Sequence, residues 1–307
     1  GDKVAAMKLA AAMFVFVVVL VALEKSTRRG GRPSELSVES SSRRIELRGT
    51  MAVTATIVCG IPVFLGAVLP LSVLLYLTGT TGDPLWGEEF LDFATNSVFV
   101  SVLAAAVSII VALALTFGQH LAPHWLTKGA AQFATLGYAL PGTLLAVGLL
   151  PPILALDRGL ADWLIATFDW RAGLLLTGSV FVLVYAYVVR FLTVAYNTTS
   201  SAIGQIPRSY VHAARTLGAT PLETVRKIHT PLMLRASMTA TLLVFVDTMR
   251  ELPATLILRP FNFETLATRV YRLAADERLG EASTAALAIV LIGLIPVLLI
   301  HRQMGKR

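Results

Sequence analysis

The stretch His212–Pro231, HAARTLGATPLETVRKIHTP, is polar and patterned, and long apolar runs flank it on both sides. Its pattern predicts two short helices that meet at a tight corner. Gly218 is suited to close the first helix, since glycine readily adopts the left-handed backbone that follows many helices. Thr220, Pro221 and Glu223 predict the start of the second helix, because they combine a capping hydroxyl, a proline at the first helical position and a glutamate that reaches back to the cap.

One face of the first helix carries almost no side-chain bulk. Pro207 is suited to begin this helix, because its missing N–H would have no partner at a helix start. Ala214 and Gly218 lie four residues apart and therefore share a face. This pattern predicts a face that the backbone of another protein can approach closely. An ordinary amphipathic surface loop is the simpler alternative.

The composition of the 307-residue chain is that of a membrane protein. Hydrophobic residues make up 55% and charged residues 15%, whereas charged residues make up about 25% of a typical soluble domain. The net charge of +7 does not indicate a nucleic-acid-binding protein, since the basic residues cluster beside apolar spans. Cys59 is the single cysteine, so the chain can form neither an internal disulfide nor a thiolate metal site.

Apolar runs predict an all-α polytopic protein with about seven transmembrane helices, since each run can cross roughly 30 Å of hydrocarbon. The first run, 4–23, precedes a basic segment, and a cleaved signal peptide is its alternative. The other runs lie at about 51–77, 95–117, 130–150, 173–195, 234–256 and 285–300. The prolines at 151 and 152 are expected to kink or end the helix that contains them.

The distribution of basic residues predicts which loops are cytoplasmic. Segment 26–49 is rich in Ser, Arg and Gly and has no apolar period, which indicates a linker. If this linker is cytoplasmic, alternation of the spans puts loop 196–233 on the same side. Most of the 26 lysines and arginines then lie on that side, in agreement with the positive-inside rule.

At this point the sequence resembles a known family, the binding-protein-dependent ABC transporter permeases. Their cytoplasmic loop carries the pattern Glu-Ala-Ala, three residues, Gly, nine residues, Ile-x-Leu-Pro. The matching positions here are His212, Ala213, Ala214, Gly218, Ile228 and Pro231. His212 replaces the usual glutamate and Thr230 the usual leucine, so a salt bridge made by that glutamate is not expected here.

A second stretch, MRELPATLILRPFNFETLATRV at Met249–Val270, resembles the ferric-iron branch of that family. The resemblance implies the type I importer permease fold, a multi-pass location in a bacterial inner membrane and ferric iron as the transported substrate. It also implies a domain order. Residues 1–24 would be the last helix of a preceding permease half, 25–50 a cytoplasmic linker and 51–307 a permease half with six transmembrane helices.

The resemblance further implies the partners and the loop residues that bind them. A cytoplasmic ABC ATPase dimer holds the ATP, so the chain itself is expected to be no enzyme and to bind no cofactor and no nucleic acid. A periplasmic or lipid-anchored solute-binding protein and a second permease half, fused or separate, complete the assembly in the lipid bilayer. The implied ATPase-coupling residues are Pro207, His212, Ala213, Ala214, Arg215, Gly218, Ala219, Ile228 and Pro231.

Three charged residues are candidates for the translocation pathway. Asp247, Arg250 and Glu251 lie near the predicted outer end of span 234–256, and their spacing predicts a common helical face. A charge in hydrocarbon costs roughly 2.5–3.5 kcal/mol, so this face should meet the bundle interior or an aqueous path. Carboxylates are hard oxygen donors suited to ferric iron. A structural ion pair of Arg250 with a carboxylate is the alternative.

Two further charged features have ordinary explanations. Arg190 is expected near the cytoplasmic end of its span, where its guanidinium can reach the headgroups. The charged outer segment beyond Pro260, including Arg269, either meets the binding protein or forms a solvated face.

Other functions stay open at the sequence level. The cargo of an ABC importer could instead be thiamine, a polyamine or a phosphonate. An ion-coupled secondary transporter is an alternative from another class, but such carriers place broken helices and ions at mid-bilayer, whereas the patterned element here is a cytoplasmic loop. The sequence contains no catalytic motif of an enzyme and no metal-ligand spacing.

Overall fold

The computed structural model describes residues 47–85, 87–121, 124–171 and 173–304, together with Val15, Val19 and Leu23. The predicted helix 1–24 and linker 25–50 lie outside the described residues, apart from those single positions and 47–50. Every regular element in the described part is helical. Six helical stretches there are long and apolar enough to cross a membrane.

The described α-helices include long apolar helices and short polar or amphipathic ones. In chain order they are α1 Thr50–Val63, α2 Leu69–Thr80, α3 Glu88–Leu121, α4 Trp125–Ala134, α5 Gly142–Phe168, α6 Val180–Gly204, α7 Arg208–Thr216, α8 Pro221–Thr224, α9 Thr230–Met249, α10 Pro253–Leu258, α11 Leu266–Ala275 and α12 Leu279–Met304. A π-helical turn, Phe64–Val68, joins α1 to α2. A second π-helical turn, Val225–His229, joins α8 to α9.

The chain up to Tyr76 and the chain from Leu77 onward are two compact units. In the first unit, α1 continues through Pro62 and the π-helical turn without a break. The most apolar window of the span Thr50–Thr80 has no buried residues within the chain. Because a helix that is apolar all round is stable only in apolar surroundings, this span requires lipid or another protein chain beside it.

The core of the second unit lies where α6 packs against α3 and α9. Small residues of these helices are fully buried there, among them Ala104, Ala112, Ala186, Ala195 and Ala240. Small side chains let helix backbones approach closely, which is how membrane helices gain packing energy in lipid. Larger apolar side chains, among them Leu183 and Phe191, are buried in the same core, so the unit is held by close helix contacts together with apolar packing.

The third predicted span, 130–150, is wrong in its bounds, because α4 and α5 are separate helices. A short 3₁₀ helix, Gly137–Ala139, lies between them. A Cβ atom on Gly137 would lie 1.9 Å from the Val189 carbonyl oxygen, so only glycine fits against α6 there. The helix α5 then continues through Pro151 and Pro152, so of the two predicted effects, a kink or a helix end, these prolines do not cause the second.

The fifth predicted span, 234–256, is shifted along the chain. The observed stretch is Pro221–Met249. It begins early because α8 continues into α9 through the π-helical turn. It ends at Met249 because Pro253 cannot donate to the Met249 carbonyl and its ring would clash with that group in a continued helix.

An interior carboxylate fixes the connection between α5 and α6. Asp157 lies within α5 and is fully buried. Its carboxylate oxygens accept the backbone N–H groups of Leu175, Leu176 and Thr177 at 2.7–3.1 Å. Three N–H donors compensate the charge of the carboxylate. The carboxylate therefore holds the loop before α6 against α5.

A buried ion pair fixes the segment before α3. Arg269 Nε and Nη2 donate to the two Asp83 carboxylate oxygens at 2.9 and 2.6 Å. The Asp83 N–H donates to Thr284 Oγ1 at 2.9 Å, and the Phe93 ring lies 5.6 Å from the guanidinium. The expectation that Arg269 meets a partner or solvent is therefore wrong, since Arg269 is buried and joins α11 to the start of α3.

The Asp83–Arg269 pair should make stability depend on pH. Burial alone would raise the pKa of Asp83, but the hydrogen bonds from Arg269 and from the Leu85 N–H, with the Arg269 charge, outweigh burial and hold that pKa below its usual value. A lowered carboxyl pKa contributes stability above the unfolded-state pKa, and this contribution is lost as the pH falls through the folded-state pKa.

We expect Asp83→Asn to destabilise the protein by roughly 3–5 kcal/mol near neutral pH, because it leaves Arg269 buried without its counter-charge. Thermal unfolding of the detergent-solubilised protein measures this. Glu281→Gln is the matched control, since Glu281 pairs with the more exposed Arg278. Equal shifts of the unfolding temperature for both variants would contradict this role of Asp83.

Candidate functional site: a cytoplasmic loop and a buried charge pair

The first helix of the loop 207–231, called the coupling loop below, ends as its sequence predicts. Pro207 directly precedes α7, and Gly218 has φ +80°. The Ala219 N–H donates to the Ala214 carbonyl at 3.0 Å and the Gly218 N–H to the Arg215 carbonyl at 3.0 Å. These two bonds are the Schellman pattern, which satisfies the last carbonyls of a helix. The corner between α7 and α8 is therefore fixed by the backbone.

The second helix begins with the predicted capping box. The Glu223 N–H donates to Thr220 Oγ1 at 3.3 Å, and the Thr220 N–H donates to Glu223 Oε2 at 3.0 Å. Lys227 Nζ lies 3.3 Å from Glu223 Oε1. From Pro221 the chain stays helical to Met249. The loop corner and the membrane span that follows it are thus joined by one continuous helical stretch.

A groove of about 630 Å³ lies between the two loop helices. Tyr210, Ala213, Leu217, Gly218 and Ile228 are among the residues that line it. Leu217 is 87% exposed. Its apolar side chain is therefore open to the surroundings at the edge of the groove.

The predicted loop residues differ in their exposure. Pro207, His212, Ala213, Arg215, Gly218 and Pro231 are exposed, Ala219 and Ile228 are half-buried, and Ala214 is buried at 8%. The surface around the groove is basic, because Arg215, Arg226 and Lys227 are exposed and Glu223 is the only acidic residue of the loop. Of the small residues predicted to face a partner, Ala213 in α7 and Gly218 beyond its end are exposed, while Ala214 is buried.

His229, at the foot of α9, is a buried polar residue that the sequence did not single out. It is 1% exposed, and neither ring nitrogen has a hydrogen-bond partner within the described part of the chain. Its ring meets that of His120 edge-on at 4.7 Å. A lone histidine among basic loop residues does not indicate burial in the sequence. The burial of His229 arises from the packing of α3 against the loop.

Within the membrane, Glu251 pairs with Arg190 rather than with Arg250. Arg190 Nε lies 3.3 Å from Glu251 Oε2. Arg190 Nη1 donates to the Leu140 carbonyl at 3.1 Å, and Glu251 Oε1 accepts the Ala254 N–H at 3.2 Å. The pair therefore joins α6, the segment before α5 and the break between α9 and α10.

Glycine and hydroxyl groups surround this pair. A Cβ on Gly142 would lie 2.6 Å from Glu251 Oε1 and 2.7 Å from Arg190 Nη1, so a larger residue there would displace the charged groups. Thr255 Oγ1 donates to the Glu251 carbonyl at 2.5 Å and lies 2.6 Å from the Tyr187 hydroxyl. The charged groups and these hydroxyls form one polar cluster among apolar helices.

The structure corrects two predictions about charged residues. Asp247, Arg250 and Glu251 do not share a helical face, because α9 ends at Met249 and Glu251 lies in the following break. Asp247 and Arg250 form a pair of their own at 2.5 Å. Arg190 lies near the middle of α6, not at its cytoplasmic end, because α6 runs to Gly204.

Comparison with known sequences agrees with these features. Residues 116–307 match the family described as binding-protein-dependent transport system inner membrane component. The Fe(3+)-transport system permease protein FbpB 2 of Haemophilus influenzae is 28% identical over 78% of this chain and 44% of its own length. A probable molybdenum ABC transporter permease protein of Haloferax volcanii is 30% identical over 76% of this chain and 83% of its own length.

Further comparisons extend the range of relatives and identify the fold. A putative 2-aminoethylphosphonate transport system permease protein, PhnV of Salmonella typhimurium, is 27% identical over 43% of this chain and 49% of its own length. Like PhnV, FbpB 2 is matched over less than half its length. A chain of the crystal structure of a bacterial alginate ABC transporter matches with a TM-score of 0.61 at 15% identity, over 83% of this chain and 95% of that chain. The chain belongs to the family of binding-protein-dependent transport system inner membrane components.

Proposed function

We propose that this ABC importer permease carries ferric iron across the inner membrane, driven by cytoplasmic ATPase subunits that bind the coupling loop. The observation that carries this proposal is the continuous helical stretch Pro221–Met249, which connects the loop to the membrane interior. Rigid elements transmit the displacement of one end to the other. The chain is a transport subunit, and the ATP is hydrolysed by its partners.

The groove of the coupling loop is the proposed ATPase-binding surface. Its exposed small residues, Ala213 and Gly218, permit close backbone contact, and Leu217 offers an apolar side chain to a partner. Arg215 and Arg226 supply polar contacts at the rim. His212 stands where the family has glutamate, so this position does not contribute a negative charge near neutral pH.

Two further partners follow from the family and from the length of the relatives. A solute-binding protein on the outer side delivers the cargo. A second permease half completes the pathway, either in the same polypeptide or as a separate chain. The FbpB 2 relative, of which this chain matches 44%, supports a fused arrangement.

Ferric iron is favoured as the cargo by the FbpB 2 relative and by the resemblance of Met249–Val270 to ferric-iron permeases. Glu251 lies in this stretch, and its carboxylate is a hard oxygen donor. An oxyanion is the second candidate, because other relatives are named for molybdenum and for a phosphonate. The largely exposed guanidinium of Arg250 favours that alternative, since guanidinium groups suit oxyanions.

Uptake of radiolabelled Fe³⁺ and of radiolabelled molybdate discriminates the two cargoes. The assay uses cells that lack their own importers for both and express the full-length permease with its ATPase and binding protein. A variant ATPase that cannot hydrolyse ATP is the control. We expect ATP-dependent uptake of iron alone. Uptake of molybdate alone would refute the iron assignment but retain the importer.

Gly218→Trp should abolish most uptake without impairing membrane insertion, because the indole would fill the groove. Gly178→Trp is the matched control. Both glycines have φ near +80° and open space beside the α-carbon, so both substitutions impose the same backbone strain. Iron uptake and co-purification of the ATPase measure the effect. Equal uptake in the two variants would contradict an ATPase-binding role for the groove.

Glu251→Gln should lower uptake by about tenfold or more, because it leaves the Arg190 charge uncompensated in a buried site. Asp247→Asn is the control, since its partner Arg250 is largely exposed. Uptake is compared at equal amounts of assembled transporter. A normally assembled Glu251→Gln variant with unchanged uptake would show that the pair has no part in transport.

A further inference from the structure

The guanidinium of Arg190 occupies a position that is suited to a cation. It bridges two oxygen donors from different elements, the Leu140 carbonyl at 3.1 Å from Nη1 and Glu251 Oε2 at 3.3 Å from Nε. A carboxylate and a free carbonyl are the ligands that hard cations prefer. Removing the guanidinium would leave both oxygens facing the same vacated volume.

The contact between Arg190 and Glu251 is incomplete as a hydrogen bond. Arg190 Nε is buried and makes no hydrogen bond within the described part of the chain, although it lies near Oε2. Glu251 Oε1 is held by the Ala254 N–H, so Oε2 is the oxygen that can exchange its partner. The desolvation cost of a buried ion pair is offset only when its hydrogen-bond geometry is good. The poor geometry here argues against a purely stabilising role for the pair.

The pair lies at a depth where the chain departs from regular helix. Arg190 is about 15 Å from the start of α6 at 1.5 Å per residue, and its side chain remains 19% exposed. Glu251 lies in the break between α9 and α10. Non-helical backbone at membrane depth is tolerated where it is buried in protein or lines an aqueous cavity. Ionisable residues at such depth mark transport paths.

We propose that Arg190 is a tethered cation that blocks an oxygen-lined cation site, formed by the Glu251 carboxylate and the Leu140 carbonyl on the transport pathway. This inference rests on the proposed function in placing the pair on that pathway. Conduction requires that a site release its ion. A bare carboxylate facing a trivalent cation would hold it, whereas the Arg190 charge keeps the site neutral until the helices move apart.

Terbium luminescence tests the proposal on the full-length, detergent-solubilised protein. Tb³⁺ is a hard trivalent probe, and nearby Tyr187 can sensitise its emission, since its hydroxyl contacts Thr255 beside Glu251. We expect Arg190→Met to bind Tb³⁺ at least about tenfold more tightly than the wild type, as removal of one adjacent positive charge predicts. The double variant Arg190→Met/Glu251→Gln should lose this gain.

Either of two results would overturn the proposal. One is a folded Arg190→Met protein that binds Tb³⁺ no better than the wild type. The other is a gain that persists in the double variant, which would place the bound ion elsewhere. Because Tb³⁺ binding does not depend on the natural cargo, a failure here with intact iron uptake refutes only the cation site. Absent iron uptake with the expected Tb³⁺ result refutes only the cargo.

A second measurement applies if Arg190→Met does not fold. Arg190→Cys combined with Glu251→Gln leaves no unpaired charge, and Cys59→Ser removes the other thiol of this chain. Labelling with a membrane-impermeant thiol reagent, in proteoliposomes that hydrolyse ATP, reports water access to position 190. We expect labelling that is faster with ATP than without. A thiol that stays unlabelled in both conditions would place Arg190 off the pathway and overturn the proposal.

Discussion

In hydrocarbon, backbone N–H and C=O groups must bond within the protein, and the chain from Pro221 to Met249 meets this constraint as one continuous helical stretch. The Thr220 cap fixes its first turn beside the coupling-loop corner. Its other end stops two residues before Glu251. The loop that is proposed to receive the ATPase and the carboxylate that pairs with Arg190 therefore lie at opposite ends of the same element. In the proposed mechanism, a shift of the loop acts on the contact between Glu251 and Arg190 through this element.

The cost of a charge in an apolar medium explains how the interior charges are arranged. Three interior carboxylates each contact donor groups from another segment of the chain. Asp157 takes three backbone N–H groups, Asp83 takes the Arg269 guanidinium and Glu251 takes Arg190. The first two are complete, with both carboxylate oxygens in hydrogen bonds, and they fix loops. The third is incomplete at Arg190 Nε. An incomplete pair next to a helix break is the arrangement expected of a part that moves.

The sequence predicted the features that depend on local chemistry. The Schellman corner at Gly218 and the capping box at Thr220 follow from residue types a few positions apart, and the apolar runs from composition. It did not predict the partners of Arg190 or the burial of Arg269, because their partners lie far along the chain and only packing brings them together. The predicted bounds of two spans were wrong, because hydropathy alone does not show where a helix ends. Near Gly137 the chain leaves the helix at a close contact with α6, and before Pro253 the helix ends because proline has no N–H. The roles of the coupling loop and of the charge pair in transport remain predictions.

Interrupting the helical connection from the coupling loop to the Glu251 break tests directly whether this connection couples ATP hydrolysis to transport. The double substitution Leu232→Gly/Leu234→Gly places two flexible residues in α9, between the loop corner and Glu251. It changes no residue that lines the groove and neither partner of the Arg190–Glu251 pair. The measurement is the number of iron ions transported per ATP hydrolysed by the complete transporter in proteoliposomes. We expect ATP hydrolysis to continue while this ratio falls several-fold, since each added glycine weakens a helix by about 1 kcal/mol. An unchanged ratio in a fully assembled transporter would contradict it.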